Sequence, residues 1–132
     1  MGGQLMKLWL WVALGSALGG STRYLCGVAV HSMGSTGFPW ETLWVNVTGS
    51  FLIGLFATWS TAGRLKVSVA THQFIVTGFL GGYTTFSLFS LESLRLLEKT
   101  PLLGWLYMGS TLSLSLFGVW LGYRLALTWV KP

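Results

Sequence analysis

The run Thr77-Gly78-Phe79-Leu80-Gly81-Gly82-Tyr83-Thr84-Thr85-Phe86-Ser87-Leu88-Phe89-Ser90 lies inside a long apolar stretch between Val67 and Leu94. Its adjacent glycines are entropically costly in a helix, and the β-branched threonines that follow have restricted rotamers there. The run therefore predicts a helix that breaks near its centre. The chain is 52% hydrophobic and 8% charged, where an ordinary soluble domain carries roughly 25% charged residues. The break is thus expected at mid-membrane. Freed carbonyls are costly in hydrocarbon, so irregular backbone persists at that depth only where protein buries it or a polar cavity runs past it. Several carbonyls converging on one point make a site for a hard cation such as Na⁺. The competing reading is that the glycines only let a neighbouring helix approach.

Working outward, a spanning helix needs roughly 20 mostly apolar residues, and four crossings with short turns use up nearly all of the 132 residues. The expected fold is an all-α integral membrane protein with one four-helix transmembrane domain over 1–132. The spans are placed at about 8–30, 42–61, 67–94 and 102–129. The apolar stretches are too long and continuous for a membrane barrel. Arg23 interrupts the first stretch, which is also too long for a secretory signal. The Gly-, Ser- and Pro-rich segment from His31 to Pro39 is a loop, with Trp40 and Trp44 at the membrane interface behind it. Ala62 to Lys66 and Glu98 to Pro101 make the other turns. Met1 to Leu5 precede a second candidate start at Met6 and are expected to be disordered or non-native.

Lys7, Arg64, Lys66, Arg124 and Lys131 fall on the side of the termini, and Arg23, Arg95 and Lys99 nearer the other. So small a bias permits insertion in both directions, and equally a single orientation with both ends cytoplasmic. The net charge of +5 favours anions near the mouths, and anionic lipid headgroups as well. The lone Cys26 excludes an intramolecular disulfide, and His31 and His72 have no partners at metal-ligand spacing. No triad, phosphate loop or paired membrane carboxylates occur, so the chain is expected not to be an enzyme. Gly15 with Gly19, and Ser50 with Gly54, have the small-xxx-small spacing of closely packed helices, within the chain or between chains.

Phe86 and Phe89 stand three residues apart and share a helix face. They are either lipid-facing residues or rings whose positive edges receive an anion. Asn46 adds an amide donor at membrane depth, and Tyr107, Thr111 and Ser115 make a hydroxyl-bearing stripe on the fourth span. Helix-to-helix hydrogen bonding would account for these groups too. Uncharged donors are also what a small, strongly hydrated anion needs to exchange for its water while remaining free to leave.

The Gly-Phe-Leu-Gly-Gly-x-Thr-Thr-Phe-Ser-x-Phe run at positions 78 to 89 resembles the signature of the Fluc (CrcB) fluoride channels. Arg23 after Gly19-Gly20, and Thr42-Leu43-Trp44-Val45-Asn46 after Pro39-Trp40, resemble that family as well, so the likeness covers nearly the whole chain. The resemblance implies an antiparallel, dual-topology homodimer with two fluoride pathways built from both subunits. It implies a structural Na⁺ on the backbone carbonyls of Gly81 and Thr84, pore phenylalanines at Phe86 and Phe89, and a pore asparagine at Asn46. The polar track falls on Thr42, Tyr107, Thr111 and Ser115, and the vestibule arginine on Arg23. Glu92 matches a family glutamate whose role stays open, and Leu88 departs from an expected threonine. The implied function is passive, fluoride-selective export of cytoplasmic fluoride across a bacterial-type inner membrane. The alternative is a small dual-topology multidrug/proton antiporter. That function needs a titratable carboxylate near mid-membrane, whereas Glu41, Glu92 and Glu98 lie towards span ends.

Overall fold

The computed structural model describes residues 2–34, 37–63 and 66–130. Arg64 and Lys131, which enter the charge balance above, lie outside them, as do Met1, Ser35 and Thr36. All regular structure among the described residues is helical. Helix α1 (Gly2–Ser32) begins earlier than the expected first span, and residues 2–5 are its first turn rather than a disordered lead-in. It gives way to a turn at Gly34, whose φ of 93° is open to glycine without steric cost. Helix α2 (Trp40–Thr61) follows directly on Pro39.

The third stretch is assembled from unlike pieces. A short helix α3 (Val69–His72) is capped by Ser68, whose Oγ accepts from Thr71 N–H at 3.1 Å. It winds into a π-helix over Gln73–Leu80, then one helical turn, α4 (Gly81–Tyr83). Thr84 (φ −83°, ψ 161°) and Thr85 (φ −152°, ψ 119°) are extended, and helix resumes as α5 (Phe86–Lys99). The helix is therefore broken in the predicted run, but at the threonines; Gly81 is helical with φ −64° and ψ −37°. A single residue, Thr100, joins α5 to α6 (Pro101–Val130). Pro101 opens α6, where its missing N–H is one the first turn leaves unpaired anyway.

Three helical stretches among the described residues are long and apolar enough to cross a membrane: Trp40–Thr61, Val69–Lys99 across its break, and Pro101–Trp129. The expected fourth, in α1, has ample length at 31 residues, but Arg23 and a series of glycines dilute its apolar character.

Packing explains why the third stretch is broken. Helix α2 lies along α6, while α1 lies along the π-helix and α4, and α5 packs on α6. The two halves of the broken stretch thus serve different neighbours, and the extended threonines are the joint between them. The small-residue pattern of α1 is spent inside the chain: a Cβ on Gly15 or Gly19 would run into the backbone of Phe74 or Phe79 respectively. Gly54 meets the Val119 carbonyl of α6 in the same way. Gly82 is needed for approach and not for conformation, since a Cβ there would lie 2.5 Å from the Ser16 carbonyl oxygen. Gly19→Ala should therefore force α1 away from the π-helix and destabilise the fold by about 1–3 kcal/mol. Gly20→Ala is the control, because its Cβ would meet nothing nearer than the Gly82 oxygen at 3.9 Å. Thermal unfolding in detergent separates them, and equal midpoints for the two variants would contradict this packing.

Candidate functional site

The break is held by side chains from two helices. Asn46 of α2 grips Thr85 twice: its Nδ2 donates to the Thr85 carbonyl at 3.0 Å, and Thr85 N–H donates to its Oδ1 at 2.8 Å. From α1, Arg23 Nε donates to the Gly82 carbonyl at 3.2 Å. Thr85 in turn caps α5, its Oγ1 accepting from Leu88 N–H at 3.2 Å. These bonds satisfy backbone groups that hydrocarbon could not.

They also decide which carbonyls are left over. In an uninterrupted helix Gly81 C=O would accept from Thr85 N–H, and Thr84 C=O from Leu88 N–H. The first donor is diverted to Asn46 and the second to the Thr85 hydroxyl. The Gly82 and Tyr83 carbonyls lose their helical donors as well, since Phe86 and Ser87 open α5, and the Gly82 oxygen accepts from Arg23 instead; Gly81 and Thr84 are thus two of the carbonyls that the break sets free. Both residues line one cavity of about 360 Å³. The Thr84 hydroxyl donates to the Leu80 carbonyl at 2.9 Å. Two neutral oxygens and no carboxylate make a weak set for a divalent ion but suit a monovalent hard cation, provided further oxygens complete the shell.

The same cavity is lined by Asn46, Phe86, Phe89, Thr111 and Ser115. Phe86 and Phe89 are in contact, with ring centroids 5.8 Å apart. Three residues of helix leave them about 60° apart around the axis, and their environments differ accordingly. Phe89 is 6% exposed and packs on Tyr107 at 5.4 Å, whereas Phe86 is 76% exposed. Thr111 Oγ1 and Ser115 Oγ are buried with no hydrogen-bond partner among the described residues. Helical hydroxyls in apolar surroundings ordinarily bond back to the preceding turn, as Ser110 does to the carbonyls of Leu106 and Tyr107. Thr111 and Ser115 are available for something else.

Tyr107 and Thr42 fall in a different arrangement. Tyr107 donates from its hydroxyl to Glu92 Oε2 at 2.7 Å, and Thr42 donates to Oε1 at 3.1 Å. Both donors are fully buried, at 0% and 1% exposure. Glu92, left without a role by the sequence, thus draws together α2, α5 and α6. Thr42 also borders a second cavity of about 610 Å³, shared with Arg23, His31, Glu41 and Leu88. The candidates from the sequence are therefore divided. Asn46, Gly81, Thr84, Phe86, Phe89, Thr111 and Ser115 share one cavity, Arg23 and Thr42 border the other, and Tyr107 bonds to Glu92 beside Phe89.

Comparison with known proteins gives these residues a context. Residues 10–123 match the family described as "CrcB-like protein, Camphor Resistance (CrcB)". A protein of Rhodopseudomonas palustris named "Fluoride-specific ion channel FluC 1" is 49% identical over 121 residues, covering 90% of this chain and 86% of its own length. "Fluoride-specific ion channel FluC" of Opitutus terrae is 48% identical over 124 residues, covering 89% and 91%. The protein of the same name from Thermus thermophilus is 47% identical over 121 residues, covering 91% and 95%. Such relatives are named as ion channels, a class without enzymatic activity, and this chain is likewise not an enzyme. With its several long apolar helices, it is a multi-pass protein of the bacterial inner membrane. A family match over most of the chain, with near 50% identity to several of its members, establishes that this protein belongs to the CrcB-like family.

Proposed function

We propose that the chain is the subunit of a passive, fluoride-selective channel that lets cytoplasmic fluoride out of the cell. The observation that carries this reading is the chemistry of the cavity at the break. It brings together two buried hydroxyls without partners, two aromatic rings, two carbonyls whose helical donors have been diverted, and no charged side chain. The relatives' names agree with this chemistry. A fluoride ion leaving water must replace strong hydrogen bonds, and the Thr111 and Ser115 hydroxyls offer them without a countercharge that would hold the ion. The ring edges of Phe86 and Phe89 supply a weaker positive field beside them. Arg23 borders the larger cavity, where its guanidinium would raise the local anion concentration.

The assembly we propose is an antiparallel homodimer of four-span subunits, with α1 as the remaining span. Phe86 is compatible with it, since its ring is 76% exposed beside the cavity at the break, where a second subunit would close over it. The weak charge bias supports two orientations in one membrane. In this assembly Gly81 and Thr84 of each subunit would hold a structural Na⁺. The ion, when bound, neutralises converging carbonyl dipoles at the centre of the dimer. Glu92 fixes Tyr107 and Thr42 beside the route. It lies towards the end of its span, away from the mid-membrane place that a proton-coupled carboxylate would take.

The test is efflux from liposomes that contain only this chain. Vesicles loaded with potassium fluoride should release fluoride on addition of a potassium ionophore, as read by a fluoride electrode, and chloride-loaded vesicles should hold their anion. Absence of fluoride release, or equal release of both anions, would overturn the reading.

A further inference from the structure

We infer that the hydroxyl pair of Tyr83 and Thr48 positions the cation site at the break, acting through the Thr84 peptide. The inference rests on the reading of Gly81 and Thr84 as that site.

Tyr83 occupies one of the two variable places in the run and has no role in the sequence reading. In the structure it is the last helical residue before the extended threonines, and it is buried. Its hydroxyl lies 2.9 Å from Thr48 Oγ1. Thr48 also donates to the Trp44 carbonyl at 2.7 Å. A threonine hydroxyl has one hydrogen, so Thr48 is the acceptor and Tyr83 the donor. The ring is fixed independently of this bond. It stacks on Phe79 with centroids 6.0 Å apart and planes 12° apart. It also lies close over Gly49, where a Cβ would sit 3.3 Å from Tyr83 Cδ1 and collide with Thr84 Cγ2. Phenylalanine would fill the same space, so packing alone does not call for the hydroxyl.

Helix α2 thereby holds the chain on both sides of the Thr84 peptide: Thr48 takes Tyr83, and Asn46 takes Thr85. The two anchors are two residues apart on each strand of contact. Asn46 sets the tilt of the peptide plane that the Thr84 carbonyl shares with Thr85 N–H. The Tyr83 anchor sets where the chain enters that plane, and the two together place the carbonyl for a cation.

Tyr83→Phe removes the donor and keeps the ring. The prediction is that the Na⁺ concentration needed for a given stabilisation of the dimer rises about fivefold, the effect of one neutral hydrogen bond. The gap from the unaltered protein should be smallest without Na⁺ and widen as Na⁺ rises. Thr48→Val should behave the same, Thr48→Ser should restore the normal Na⁺ dependence, and the double variant Tyr83→Phe/Thr48→Val should be no worse than either single one. The measurement is the thermal midpoint of the purified dimer against Na⁺ at constant ionic strength, with N-methylglucamine as the replacing cation. A midpoint lowered equally at every Na⁺ concentration would show a merely structural bond and overturn the inference. So would an unchanged Na⁺ dependence in both Tyr83→Phe and Thr48→Val. If the unaltered protein itself shows no dependence on Na⁺, the cation reading fails first, an outcome distinct from either of these.

Discussion

Phe86→Ile and Phe89→Ile should each lower fluoride efflux by roughly a hundredfold or more, equivalent to about 2.7 kcal/mol added to the barrier. Isoleucine keeps the site apolar and nearly as bulky, but it has no ring and so no positive edge to offer an anion. The two positions test different parts of the claim. Phe86 is exposed in the subunit, so its replacement leaves internal packing intact and isolates the ring's effect on the ion. Phe89 is buried against Tyr107, so its replacement also loosens the neighbour that donates to Glu92. Phe89→Ile is therefore expected to lose stability as well as flux, and Phe86→Ile flux alone. Flux near that of the unaltered protein in correctly assembled Phe86→Ile would mean that this ring faces lipid.

Asn46→Leu carries the second large effect, and it falls first on the fold. The substitution strands the Thr85 N–H and C=O, both bonded to this one side chain, away from water. At about 1–3 kcal/mol for each unpaired group, the loss approaches the whole stability of a small domain, so little assembled protein is expected. Asn46→Asp keeps an acceptor for Thr85 N–H and should retain more folded protein. Size-exclusion profiles of the purified variants check the order. An Asn46→Leu protein that assembles normally, with its melting point unchanged, would show that the break does not depend on this clamp.

The helical architecture was legible in the sequence because apolar length and turn residues report directly on it. The loop before Trp40 and the turn at Pro101 fall within a few residues of expectation. The break was legible from Gly81-Gly82 and Thr84-Thr85, yet for a partly mistaken reason. Glycine tolerates many conformations, but here Gly82 is helical and serves the contact with Ser16, while the threonines carry the extended backbone. Close approach between distant segments leaves no local trace that separates it from flexibility. The π-winding over Gln73–Leu80, the segment along which α1 lies, was not foreseen. Glu92 and Thr48 were visible as polar residues in apolar stretches, but their partners lie far away in the chain, Thr42 at 50 residues and Tyr83 at 35. Spacing along one helix could find the Tyr107, Thr111 and Ser115 stripe. It could not show that the first of these is bonded to a carboxylate while the others are not.

Passive fluoride conduction is tested most directly by current through a planar bilayer that holds only this protein, with unequal fluoride on the two sides. The current should reverse at the fluoride equilibrium potential and stay there when a pH gradient is imposed. A reversal potential that follows the pH gradient, or the absence of any fluoride current, would contradict a passive fluoride channel.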